Sequence, residues 1–260
     1  MKVIIGTGWW SSNVDDRKIK HGDDLIRSKE FSEVWLQELN KTVKYDKLVV
    51  VDSNSPVKSQ SLLGNRDFEY IELLENGGHA TNIVGLHCGW SRGVILSMLY
   101  AYYSSCDYYV YIEQDVLIKG DNFVENIISA QKTGYSFGKS KDYPQPLQQS
   151  LFVIEKRKII EFISRYTSIK YDDNEISCEV KFALCTSKFF KLLPMRLFVK
   201  KCGKGKVSKV INYAQRKISL MVSNFDYINV HGGRDRPIDF NADYYYFQHG
   251  SKEELAEHLK

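Results

Sequence analysis

Two rhythms of apolar residues alternate along the first half of this chain. Val3–Ile5 is a short apolar run ending in Gly6, Thr7 and Gly8, and Lys47–Val51 is a second, ending in Asp52, Ser53, Asn54, Ser55 and Pro56. β-branched runs closed by turn residues predict strands. Between them, Phe31, Val34, Trp35 and Leu39 fall on one face at helical spacing. Phe68–Leu73 predicts a third strand, broken by Asn76, Gly77 and Gly78. Ser91 is then placed to cap a helix whose apolar positions are Val94, Ile95, Met98, Leu99 and Tyr102. Strands alternating with helices argue for a mostly parallel sheet with crossover helices.

The second half is patterned less regularly. Asp121 is positioned to cap a helix through Ile128, and Tyr135–Phe137 and Leu151–Ile154 read as strands. Lys156–Tyr166 has helical spacing. An acidic turn at Asp172, Asp173, Asn174 and Glu175 is expected to open a helix through Glu179, Phe182 and Leu184. Strands are expected near Asp226–Val230 and Tyr244–Phe247, followed by a helix whose Ser251 and Glu254 form a capping-box pattern.

Composition narrows the class. With 260 residues, five prolines, no repeat and no linker-like tract, the expectation is a single α/β domain spanning 1–260, with 1–120 as one half and 121–260 as the other. The apolar N-terminal stretch is too short for a signal peptide, and no segment reaches the roughly 18 apolar residues of a membrane helix. A cytoplasmic protein is expected. Five cysteines without C-x-x-C spacing suggest neither a disulfide framework nor a zinc site. The net charge of +4 conceals an uneven distribution, because 196–217 carries eight Lys/Arg and no acid while the rest has 28 basic and 32 acidic residues. That segment is either a solvated loop or an attraction for phosphates or an anionic membrane surface, which would make the protein peripheral to a membrane. No RNA module or zinc finger accompanies it, so nucleic acid is not an expected partner.

The densest chemical signal is Tyr108–Ile118, an aromatic and β-branched run interrupted by Glu113, Gln114 and Asp115. Paired carboxylates at a buried strand end are costly without a cation. Ligands of open α/β sheets collect beyond the carboxyl ends of strands, so Glu113 and Asp115 stand either at a divalent-metal site or in a solvated acidic turn. The order of these signals resembles the GT-A-fold glycosyltransferases, and within them the broad family-2-like group: Val50–Asp52 after the second strand, Asn76–Gly78, Ser91–Gly93 on a helix, then a hydrophobic strand and E-x-D. The likeness covers about the first 120 residues well and the rest loosely.

The resemblance implies a Rossmann-like, mostly parallel sheet flanked by helices, with a smaller C-terminal acceptor-side portion. It implies a nucleotide-sugar donor, UDP-linked ahead of GDP- or dTDP-linked, bound with Mn2+ or Mg2+. Residue by residue, Thr7 and Gly8 match the turn along the nucleotide, Asp52 the acid against nucleobase or ribose, and Arg92 a cation near the diphosphate. Asp115 matches the principal metal ligand and Glu113 a contact to metal or ribose. His249 matches the C-terminal histidine ligand of such enzymes, with His231 as competitor. Arg234 or Arg236 would clamp phosphate or acceptor. For an inverting reaction the base falls on Glu179, where apolar neighbours can raise its pKa, with Glu175, Asp173 and Asp172 as rivals.

Three features depart from the pattern. Glu replaces the usual first Asp of D-x-D, Val51–Ser55 reads Val-Asp-Ser-Asn-Ser in place of the usual Val-Asp-Asp-Gly-Ser, and the processive Q-x-x-R-W motif is lacking, which favours transfer of a single sugar to a hydroxyl of a glycan or glycolipid. Two other readings remain open. A sugar-phosphate nucleotidylyltransferase would be expected to carry a basic residue directly after the first strand, and Gly6–Ser11 has none. A non-catalytic carbohydrate- or anion-binding module would rely on 196–217.

Overall fold

A computed structural model of the chain describes residues 1–13, 23, 25, 28–63, 67–139, 145–203, 205–230 and 232–260. Its central sheet has seven strands in the order β3 (Glu69–Glu72), β2 (Lys47–Asp52), β1 (Val3–Trp9), β4 (Tyr108–Ile112), β7 (Gln148–Glu155), β6 (Tyr135–Gly138) and β8 (Asp226–Tyr227). Neighbours pair in parallel except across β7, which runs against both β4 and β6. Six strands therefore share one direction, as the alternating pattern predicts. A smaller sheet joins β5 (Val116–Lys119), β10 (Tyr245–Gln248) and β9 (Gly232–Gly233).

Helices cover both faces, and strand alternation decides which residue meets which helix. Ile5, Val50, Val110 and Val153 pack with Trp35 and Leu39 of α1 (Lys29–Thr42), Phe123 and Val124 of α4 (Phe123–Ala130), and Phe247 of β10. Their neighbours Ile4, Val49, Tyr109 and Phe152 pack on the opposite face. There they meet Val94 and Met98 of α3 (Gly89–Tyr103), Phe162 of α5 (Lys156–Ser168) and Phe182 of α6 (Cys178–Cys185). Phe152 lies within ring-contact distance of Tyr109, Tyr111, Phe137 and Phe182. Truncating such a ring to Ala costs about 3–5 kcal/mol. The remaining helices are α2 (Ser59–Leu63), α7 (Lys206–Val222) and α8 (Lys252–His258). The predicted capping box holds: Ser251 caps Glu254, and Glu254 returns the bond to the Ser251 amide at 3.0 Å.

Several boundaries differ from expectation. β1 does not stop at Gly6 but runs to Trp9, so Thr7 and Gly8 lie within the strand. The glycines are there for close approach rather than for a turn. A Cβ on Gly6 would strike the hydroxyls of Tyr109 and Ser97, and one on Gly93 would sit 2.9 Å from Gly8 Cα, where α3 presses on β1. α3 begins at Gly89 with Cys88 as its cap, and Ser91 is buried inside it. α4 is capped not by Asp121 but by Asn122, in the left-handed conformation at φ 55°. α6 starts after the acidic turn rather than in it. Within the basic segment 196–217, read from charge as a solvated loop or an anion-attracting stretch, the structure instead forms the helix α7.

Candidate active site at the carboxyl edge of the sheet

β4 ends at Ile112, and Glu113, Gln114 and Asp115 turn the chain out of the large sheet into β5 of the small one. The turn is fixed by its backbone and its middle residue. Glu113 N–H donates to Ser150 O at 2.9 Å, Val116 N–H to Glu113 O at 3.0 Å, and Trp35 Nε1 to Glu113 O at 3.1 Å. The Gln114 amide grips the backbone of Trp10 twice, accepting from its N–H at 2.7 Å and donating to its carbonyl at 2.9 Å. Both flanking carboxylates are thereby left to point where a rigid frame aims them.

The small sheet brings the C-terminal histidine to that turn. Because β10 pairs antiparallel with β5, Gln248 lies opposite Val116, and the next residue, His249, reaches Asp115. The distance His249 Nε2 to Asp115 Oδ2 is 3.3 Å. His249 has φ 58°, a left-handed conformation that costs a non-glycine residue of order 1–3 kcal/mol and clusters at functional sites. Asp115 is 7% exposed.

Beside this pair, Glu113 stands in a ring of polar groups. It accepts from Gln248 Nε2, and Gln248 Oε1 accepts from Arg234 Nε at 3.1 Å. Burial, and then the charge of Asp115, push the Glu113 carboxyl up to about 8; Glu179 adds to the rise and Arg234 opposes it. The raised acid is thus Glu113, at the strand end. Trp90 of α3 lies close enough to favour its carboxylate form, yet its indole N–H completes no hydrogen bond among the described residues. Gln145, Leu147, Gln148, Glu179, Arg234 and Gln248 line a small pocket here. Gly233 has φ 76°, and a Cβ there would collide with the Gln148 amide; Gln148 Oε1 in turn accepts from the Arg234 N–H at 3.0 Å.

The other expected residues divide. Glu179, in the first turn of α6, reaches the pocket. Glu175 is exposed and accepts from the Asp172 N–H at 2.9 Å, while Asp172 accepts from the amides of Asn174 and Glu175. Both acids serve the turn before α6. Asp173 is wholly buried against Lys181 at 2.7 Å, and takes further hydrogen bonds from Ser91, Tyr166 and the Cys88 N–H. Asp52, at the end of β2, accepts from the amides of Ser55 at 2.7 Å and Ser59 at 3.1 Å, holding the loop ahead of α2. Arg92 binds Glu75 at 2.9 Å and His87 O at 2.9 Å. Arg236 bonds to the carbonyls of Gly233 and Gln248 and to Glu254. Its role is to hold β10 onto α8, whereas Arg234 faces the carboxylates. Gly8 N–H donates to Tyr111 Oη at 3.2 Å, and Thr7 is fully buried. His231 lies outside the described residues.

The donor set at the edge suits a divalent cation. A buried carboxylate and an imidazole 3.3 Å apart could share one ion, and an oxygen–nitrogen set accommodates Mn2+ more readily than Mg2+. Glu113 stands alongside rather than within that grip. Among the described residues, the three-member group whose ligand atoms all lie within 4.8 Å of one another is Cys88, Asp173 and Cys178. Its one carboxylate, Asp173, is already paired with the Lys181 ammonium at 2.7 Å. A concavity of about 670 Å³ beside Met1, Tyr108, Glu155 and Arg157 opens at the other end of β4, away from these carboxylates.

Gln114, Gln148, Gln248 and Trp90 were not singled out in the sequence. The available signal was an amide set within or beside an apolar strand, where a polar side chain needs a buried partner.

No family model matches the chain, and no curated protein matches it. Among solved structures it is similar to a mannosyltransferase from Pyrobaculum calidifontis in complex with GDP-Man and Mn2+, at 12% identity over 85% of this chain and 72% of that one, TM-score 0.43. It is also similar to glucosyl-3-phosphoglycerate synthase from Mycobacterium tuberculosis in complex with Mn2+ and UDP, at 12% identity over 62% of this chain and 57% of that one, TM-score 0.39. A third likeness is to a putative glucose-1-phosphate thymidylyltransferase from Bacillus anthracis, at 13% identity over 99% and 94% of the two chains, TM-score 0.43. Likenesses this distant add nothing to what the geometry itself supports.

Proposed function

We propose that this chain is a metal-dependent glycosyltransferase of GT-A type, moving a single sugar from a nucleotide-sugar to a hydroxyl of a glycan or glycolipid with inversion. One observation carries the reading. Asp115 and His249, from distant parts of the chain, meet at the carboxyl edge of the sheet beside a carboxylate whose ionisation is suppressed. A strained histidine and like-charged acids are expensive to hold together, which favours a function for the arrangement over a structural role.

In this reading Asp115 and His249 hold Mn2+ or Mg2+, with Glu113 facing the metal or the donor ribose. When bound, the cation supplies positive charge next to the departing diphosphate. Arg234, held by Gln148 and Gln248, orients its guanidinium toward the same anion. Glu179 takes the proton of the acceptor hydroxyl as its oxygen attacks the anomeric carbon. Gly8, near the end of β1, and Trp10, gripped by Gln114, are the wall offered to the nucleotide, with the wholly buried Thr7 behind them. Asp52 acts by holding the loop whose Ser55 meets the Ser11 N–H, and Arg92 by holding the loop ahead of α3 through the His87 carbonyl. UDP-sugars lead as donor class, ahead of GDP- and dTDP-sugars.

Calorimetry with UDP, GDP and dTDP, with and without Mn2+, tests the proposal. One nucleoside diphosphate is expected to bind only in the presence of the metal. Equal binding in a chelator, or none with any nucleotide, would overturn it.

A further inference from the structure

α7 is built inside out. Helices on protein surfaces ordinarily bury an apolar stripe and expose polar residues, yet Ser219 is the buried residue of α7. The face turned to the protein is mostly polar, with Val222 at its C-terminal end as the apolar residue packed on the core. Gln215 Nε2 donates to the carbonyls of Leu197 at 2.7 Å and Val199 at 2.9 Å, and the Asn212 amide clasps both backbone groups of Lys201. At 100° per residue, Val207, Val210, Ile211, Ile218 and Met221 fall within one arc on the other side, and all five are exposed, Met221 by 82% and Val207 by 72%. The turn Met195–Phe198, whose Leu197 carbonyl holds Gln215, adds an exposed Leu197.

The charge around this stripe is of one sign. From 188 to 217 the sequence has ten Lys/Arg and no Asp or Glu, against 26 basic and 32 acidic residues elsewhere. Lys206 and Lys217 border the apolar arc and are exposed. Pairing two α7 stripes would bring like charges together, whereas an anionic lipid surface offers both an apolar layer for the stripe and phosphates for its cationic border. The acidic remainder of the molecule is repelled by the same surface, which orients the chain. Among the described residues no helix is long and apolar enough to cross a membrane, so contact through this face would be along the surface.

We propose that the outward face of α7 docks on an anionic lipid bilayer. α7 packs on α6, whose first turn carries Glu179, so a docked α7 would lie between the bilayer and the element that bears the candidate base. The corollary that the acceptor is a membrane-anchored glycan rests on the transferase reading; the docking surface does not.

Co-sedimentation with vesicles tests it, comparing phosphatidylcholine alone with an equimolar mixture of phosphatidylcholine and phosphatidylglycerol. The full chain is expected to bind the mixed vesicles and not the neutral ones, with binding weakened by salt. Val210→Asp with Met221→Asp should lower that binding about tenfold or more, by placing charge in the buried arc. Lys206→Glu with Lys217→Glu should weaken it as well; all four positions are exposed, so the fold should survive. A wild-type chain left in the supernatant would reject the proposal, as would variants that bind like wild type. A dimer in sedimentation equilibrium that dissociates on Val210→Asp with Met221→Asp would reject it in favour of a second copy on the stripe. Vesicle binding requires neither nucleotide nor metal, so this test and the calorimetric one fail independently.

Discussion

Asp173 and Glu113 are both carboxylates enclosed near the ends of core elements, and the fold treats them in opposite ways. Burial alone would push Asp173 up, but the His87 ring, the Lys181 charge and the bonds from Lys181 and the Cys88 amide overcome it and hold the carboxyl well below the usual range. Glu113 is pushed up by burial and then further by Asp115. The first acid is satisfied within the chain, and pins the start of α3 to the loop before α6. Among the described residues the charge that opposes this rise is that of Arg234, and Asp115 meets a histidine held in a strained conformation. A buried charge that the protein completes reads as structure; a carboxyl pushed up by burial and by a second acid at the carboxyl edge of the sheet marks the candidate site.

Breaking the satisfied cluster should produce the largest change in stability. Lys181→Met strands Asp173 in the core and is expected to cost about 3–5 kcal/mol in urea unfolding. A loss below about 1 kcal/mol, the range of surface pairs, would mean that the two clusters do not differ in kind. Removing the candidate base should show in the reaction instead. Glu179→Gln is expected to lower turnover about 10²- to 10⁴-fold while metal-coupled nucleotide binding persists; retained transfer activity would hand the role to another acid. At the edge, Asp115→Ala should weaken Mn2+-dependent nucleotide binding by about a hundredfold or more, with little loss of thermal stability. A variant that unfolds but binds as before would reverse the comparison.

Acid offers a gentler separation. The folded pKa of Asp173 lies below its ordinary value of 3.8, so its contribution is full above that pH and is lost as the pH falls through the lower, folded value. Urea midpoints measured from about pH 5 to about pH 2 should therefore fall more steeply for the wild type than for Asp173→Asn, already without that charge. Parallel curves would show that Asp173 is not what acid breaks. The smallest effect is expected at Gln114→Ala, which removes two bonds to Trp10 and should cost about 1–2 kcal/mol. A few-fold loss of nucleotide affinity should accompany it, measured by the same calorimetry, and its absence would mean that Gln114 anchors the turn without aiming it.

The sequence by itself determined the alternation of strands and helices, because apolar periodicity follows from which side chains must leave water. Lys47–Val51, Phe31–Leu39 and the Ser251 capping box are local signals, and each appears in the structure close to its expected bounds. Glu113, Asp115, Glu179 and His249 were legible as residue types at strand and helix ends. Their division of labour was not, since Asp172, Asp173, Glu175 and Glu179 look alike in a chain, and only packing shows that one is paired with Lys181, two hold a turn and one faces the pocket. The end of β1 was hidden for a similar reason: Gly6 and Gly8 read as breakers until Tyr109 and Tyr111 are seen against them. α7 shows the limit from the other direction, because its spacing marks an apolar face and not which way that face turns. Tertiary structure decided those matters, since register, close approach and the pairing of charges depend on residues brought together by the sheet and not on their neighbours in sequence.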